Sequence, residues 1–74
     1  MDIFVERLKL SRQAKNVKSK DIANHLEITQ RAYLYYESGK REPNLATFAA
    51  LVEYLDVSAD YLLGRTDDPA SPDS

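Results

Sequence analysis

Apolar residues in this chain recur at spacings of three and four, in short runs, and no apolar-polar alternation lasts for the length of a strand. That period puts successive apolar side chains on one face of a helix, and with only 2 glycines and 3 prolines little interrupts it. The chain is therefore predicted to be all-α. At 74 residues it has room for one small domain, and with no cysteine that domain is stabilised by its core alone or with a second chain.

Five helices follow from the apolar runs and from the residues that bound them. Phe4, Leu8 and the small Ser11, with Arg12 beside it, share one face of a first helix from about Asp2 to Lys15. Ile22, Ala23 and Leu26 form the stripe of a second, Ser19 to Leu26, which Glu27 and Ile28 interrupt. Thr29 is a suitable cap for a third, with Tyr33, Tyr36 and Glu37 inward and Gly39 at its stop. Pro43 and Asn44 start a fourth, whose inner face is predicted to carry Leu45, Phe48, Leu51, Val52 and Leu55. Ser58 caps a fifth, with Asp60 in its first turn, Tyr61, Leu62 and Leu63 following, and Gly64 at its close. Residues 1–64 are thus expected to form the domain. Residues 65–74, "RTDDPASPDS", have no apolar side chain larger than alanine and are expected to be a disordered acidic tail.

Charge is unevenly spread along this chain. Arg7, Lys9, Arg12, Lys15, Lys18, Lys20, Arg31, Lys40 and Arg41 face only Asp21, Glu27 and Glu37 over the same stretch. Beyond Arg41, Arg65 alone stands against Glu42, Glu53, Asp56, Asp60, Asp67, Asp68 and Asp73. A field divided in this way orients a molecule on a polyanion although the net charge is only -2. No apolar run is long enough to span a bilayer, and no basic-then-apolar leader is apparent, so a soluble, cytoplasmic protein without a membrane partner is expected.

Two short helices joined by a tight turn, the second with a polar outer face and a basic loop behind it, describe a helix-turn-helix. Ala23 lies where the two axes approach, and Ile22, Leu26, Ile28, Tyr33 and Tyr36 fill the angle between them. A rotation of 100° per residue then turns Arg31, Tyr35 and Ser38 outward, flanked by Gln30 and Leu34. An enzyme is not expected. His25 has no second imidazole, thiol or paired carboxylate at ligand spacing, Asp67 and Asp68 sit on the tail, and there is no glycine-rich phosphate loop, so no cofactor, metal or small-molecule ligand is foreseen.

From Phe4 to Gly64, about four fifths of its length, the chain resembles the lambda-repressor-like, or Cro and phage-repressor type (XRE family), DNA-binding domain. The segments "RLKLSRQAKNVKSKDIANHL" and "YYESGKREPNLATFAALVEYLDVSADYLLG" carry the likeness. The resemblance implies a five-helix domain, usually dimeric, that reads double-stranded DNA in the major groove with its third helix. By the same resemblance Gln30 and Arg31 meet base edges, with Tyr35 one turn further on and Leu34 near a thymine methyl. Lys18, Ser19, Ser38, Lys40 and Arg41 are the phosphate candidates, and Arg12 and Glu37 occupy the positions of an ion pair that ties the first helix to the third.

A repressor acting as a homodimer on a palindromic operator is the function so implied, with Tyr54, Val57, Tyr61 and Leu62 as candidates for the dimer surface. A protein-interaction module on the same scaffold, such as an antitoxin component or an accessory partner of a larger regulator, is the alternative. The polar and basic outer face of the third helix argues for DNA. Three residues depart from the family pattern. Glu27 and Asp56 stand where glycine is usual, so either a side chain is strained at Glu27 or that turn avoids positive φ. Tyr33 replaces a branched aliphatic residue, and its extra bulk bears on the tilt of the reading helix.

Overall fold

A computed structural model describes residues 2–71. Its helices are α1 (Asp2–Ala14), α2 (Ser19–His25), α3 (Gln30–Ser38), α4 (Leu45–Leu55) and α5 (Ala59–Leu62). The hydroxyl of Thr29 accepts the Ala32 amide at 3.0 Å, the carboxamide oxygen of Asn44 accepts that of Thr47 at 2.8 Å, and Ser58 accepts that of Tyr61 at 3.2 Å. Each bond satisfies one of the amides that a helix start leaves without an internal acceptor. Gly39 ends α3 at φ 80°, and the linkers after α1, α2 and α4 also pass through the left-handed region, at Asn16 (φ 65°), Glu27 (φ 59°) and Asp56 (φ 53°). Glu27 therefore takes the strained alternative, a residue with a Cβ on left-handed backbone.

The core consists of Phe4, Leu8, Ile22, Ala23, Tyr33, Tyr36, Leu51, Leu55, Val57 and Leu62. Helices α2 and α3 pack on each other, and α1 lies against both α3 and α5. The reading of α4 needs one correction. Leu45 is 83% exposed and points out of the domain, because it is the first residue of α4 and its side chain overhangs the turn that precedes the helix. With Phe4, Pro43, Phe48 and Leu63 it lines an apolar groove that has Glu42 at its edge.

Of the acidic segment 65–74, residues 72–74 lie outside the described residues. The path of the preceding part is given by a few polar contacts, most of them to backbone groups. Arg7 donates to the carbonyls of Tyr61 (2.7 Å) and Thr66 (2.6 Å) and to the carboxylate of Asp67 (2.9 Å). The Ser58 amide donates to the Pro69 carbonyl at 3.0 Å, beside an isolated bridge between Val57 and Ala70.

Candidate nucleic-acid interface

The interface is built on the angle between α2 and α3. Ala23 is 1% exposed where the two helices meet, and its carbonyl accepts the Ile28 amide at 3.1 Å across the turn. Tyr33 is fully buried and meets Tyr36 edge to face, with ring centroids 6.4 Å apart. Both rings thus act as wedges on the inner side of α3, an arrangement that aromatic quadrupoles favour.

A partly buried polar group ties α3 to α1. Arg12 donates to Glu37 through Nε (2.5 Å) and Nη2 (3.2 Å), and its Nη1 donates to the Val17 carbonyl at 3.0 Å. The Tyr33 hydroxyl donates to the same Glu37 carboxylate. The bond to Glu37 raises Arg12 further above its ordinary range, although burial opposes it. Burial, and then the bond to Glu37, push the Tyr33 phenol well above its usual range, so it remains a donor. Tyr33 is therefore both a wedge and the third member of the polar group, a role that the sequence reading did not anticipate. Its i, i+4 spacing to Glu37 was the available signal.

The opposite side of α3 presents Gln30, Arg31, Leu34, Tyr35 and Ser38, which together with Lys40 line one shallow concavity of about 660 Å³. Four of the five expected phosphate contacts take definite places around it. Ser19, at the start of α2, accepts the Gln30 carboxamide N–H at 2.9 Å, so a phosphate candidate and a base-reading candidate are directly joined. Ser38 donates its hydroxyl proton back to the Tyr35 carbonyl at 3.3 Å. Lys40 and Arg41 lie over the Tyr35 ring, 5.6 and 5.9 Å from its centroid. The fifth, Lys18, is exposed at the N-cap of α2 on the Ser19 side.

Of the residues expected at a dimer surface, two belong to the core and two are half-buried. Leu62 is fully buried and Val57 is 8% exposed, both as part of the core, because α5 closes over the end of the domain. Tyr54 is half-buried with its ring 4.4 Å from that of His25, and half-buried Tyr61 lies beneath the Arg7 guanidinium at 4.2 Å. Arg7 is the other residue that sequence reasoning missed. Its partners are largely backbone carbonyls, which leave no trace in the order of side chains.

Among the described residues no group of three or more His, Cys, Asp or Glu is placed to hold a metal, and no helix is long and apolar enough to cross a membrane. Residues 5–67 match the family model of a helix-turn-helix domain. The chain is 44% identical over 61 residues to an uncharacterized HTH-type transcriptional regulator of Bacillus subtilis (strain 168), YqaE, covering 82% of this chain and 53% of that one. It is also 44% identical over 64 residues to the SPbeta prophage-derived regulator YonR of the same organism, covering 86% and 59%. The likeness to the HTH-type transcriptional regulator AnsR of that organism is 39% over 61 residues, covering 82% and 53%. The chain thus spans between about half and three fifths of the length of these relatives. No solved structure matches it significantly.

Proposed function

The chain belongs to the helix-turn-helix family of XRE type, and from that premise we propose that it is a sequence-specific, non-enzymatic DNA-binding regulator. The observation that carries this reading is the outer face of α3. Gln30, Arg31, Leu34 and Tyr35 stand together there with Lys40 at the edge, while the wedges Tyr33 and Tyr36 hold the opposite side in the core. Glutamine pairs with the N6 and N7 edge of adenine, arginine bonds O6 and N7 of guanine, and leucine suits a thymine methyl. Lys18, Ser19, Ser38, Lys40 and Arg41 surround these readers as contacts to the backbone, which position the helix without reading sequence. The Ser19–Gln30 bond leaves the serine proton free for a phosphate oxygen, so the backbone contact at α2 orients the base reader on α3.

The names of the relatives support a role in transcription, and repression by occupancy of an operator is the simplest mechanism for a domain of this size. Two copies on an inverted repeat place their reading helices roughly 34 Å apart, one turn of the duplex. With Val57 and Leu62 committed to the core, Tyr54 and Tyr61 are what remains of the expected self-association surface.

Selection of bound duplexes from a random pool tests the proposal, followed by titration of the enriched and a scrambled duplex at two salt concentrations. The expected outcome is an inverted repeat with half-sites about one helical turn apart, bound at least a thousandfold more tightly than the scrambled duplex, roughly the lower end for specific sites. A folded protein that enriches no sequence overturns the reading in favour of a protein-interaction module.

A further inference from the structure

The exposed side of the recognition helix holds one aromatic residue, Tyr35, and its ring is engaged by the turn that follows. At Gly39 the backbone enters the left-handed region, and the turn that follows brings Lys40 and Arg41 over the Tyr35 ring. The Arg41 amide donates to the Tyr35 carbonyl at 3.3 Å, which sets the turn beside the ring. The Lys40 ammonium then lies 5.6 Å and the Arg41 guanidinium 5.9 Å from the ring centroid. Both distances fall within the range in which a ring quadrupole attracts a cation.

We infer that Tyr35 is a positioning residue whose ring is the platform that orders Lys40 and Arg41 for the DNA backbone, and that it reads no base. The inference rests on the DNA-binding reading above and changes one assignment within it. Lysine and arginine on an exposed turn each give up considerable rotamer freedom when they bind a phosphate. A ring that already confines both cations removes part of that loss before DNA arrives, and it does so alike for every sequence. A cation held over a ring face still directs N–H groups outward, so the platform and a phosphate are not competitors. Gln30, Arg31 and Leu34, toward the N-terminal end of the same concavity, are left as the base readers.

The test compares Tyr35→Leu, which keeps an apolar side chain on the helix but removes the ring, with Tyr35→Phe, which keeps the ring and removes the hydroxyl. Each is titrated by fluorescence anisotropy against the selected and scrambled duplexes at two salt concentrations, after circular dichroism has confirmed the helix content. Tyr35→Leu is expected to weaken both duplexes by the same factor, about two to five, with the salt slope unchanged because no charge is lost. Tyr35→Phe should match the unaltered protein. In a Lys40→Ala, Arg41→Ala background the effect of Tyr35→Leu should vanish. In the free protein, side-chain methylene protons of Lys40 and Arg41 should show upfield ring-current shifts that survive in Tyr35→Phe and are lost in Tyr35→Leu.

A fall in the ratio of selected to scrambled affinity in Tyr35→Leu overturns the inference and makes Tyr35 a base reader. Equal losses in Tyr35→Phe and Tyr35→Leu overturn it too, since the hydroxyl would then be the active group, as does a Tyr35→Leu protein that binds both duplexes like the unaltered one. Failure of the unaltered protein to bind any duplex removes the DNA reading itself and the inference with it, and is recognised by its independence of every substitution.

Discussion

The Arg12 guanidinium and the Glu37 carboxylate meet through two nitrogens and two oxygens, with side chains only 16% and 7% exposed. They connect the end of α1 to the end of α3, so this contact fixes where α3 stands relative to the rest of the domain. Removing one partner leaves a charge with little access to water, and Glu37→Ala is expected to cost about 3 kcal/mol, the lower end for a buried pair. Arg12→Met combined with Glu37→Gln keeps an acceptor for the Tyr33 hydroxyl and should recover much of that loss. Urea unfolding at constant m-value measures both. A single-variant cost below about 1 kcal/mol would place the pair with ordinary surface pairs.

Tyr33 supplies a pH dependence at the alkaline end. Its phenol is raised above the ordinary value of about 10, first by burial and then by its bond to Glu37. Above pH 10 the unfolded chain loses this proton while the folded one retains it. The stability that is fully present below pH 10 is therefore lost as pH rises, with a limiting slope of about 1.4 kcal/mol per pH unit. Tyr33→Phe should remove this slope and, at neutral pH, cost about 1.5–3 kcal/mol for a bond to a charged acceptor. Unfolding curves between pH 8 and 11 decide it, and an unchanged alkaline slope in Tyr33→Phe would assign the dependence to another group.

Glu27 holds φ 59° in the turn between α2 and α3. Left-handed backbone costs a residue with a Cβ roughly 1–2 kcal/mol, and glycine gives back about 0.4–1 kcal/mol through the freedom it adds to the unfolded chain. Glu27→Gly should therefore stabilise by about 0.5–1 kcal/mol, which for a chain of this size is several degrees in Tm. Asn16→Gly, at φ 65°, should gain less, because asparagine tolerates this region. A lower Tm in Glu27→Gly would mean that the glutamate side chain makes a contact worth more than the strain.

Much of this molecule is legible in its residue order because the information is local. Thr29, Asn44 and Ser58 each cap a helix three residues before the amide they bind, and the turn of α3 separates inward Tyr33 and Tyr36 from outward Arg31 and Ser38 by angle alone. What escapes is settled by neighbours distant in sequence. Leu45 has the right spacing for the core, yet as the first residue of α4 it stays 83% exposed, while Phe48 in the same turn packs on Phe4. Val57 and Leu62 read as a surface because the closing of α5 over the core depends on packing across the whole chain. Arg7 looks like one more cation, and only the return of residues 61–67 past α1 gives it carbonyls to bind.

Leu45 and Leu51 turn that distinction into a measurement. Both fit one apolar stripe, but Leu45 is 83% exposed and Leu51 fully buried. Leu51→Ala should cost about 2–5 kcal/mol, the lost transfer energy plus the cavity left behind. Leu45→Ala should fall within about 0.5 kcal/mol of the unaltered protein. Equal costs in thermal unfolding would put Leu45 back in the core.

The proposed division between readers and anchors is tested by Arg31 and Lys40, which line the same concavity from different elements. An arginine that bonds the guanine edge distinguishes bases, so Arg31→Ala should relax discrimination at one base position by about 1–3 kcal/mol and leave the others intact. Lys40 lies in the turn beyond α3, where a phosphate is the natural partner of an ammonium group. Lys40→Ala should weaken all duplexes alike and reduce the salt slope by about one, the counterion released at a single phosphate. Competition among operator variants, each carrying one changed base pair, separates the two effects. If both substitutions weaken selected and random duplexes equally, Arg31 is a backbone contact, and sequence discrimination falls to Gln30 and Leu34.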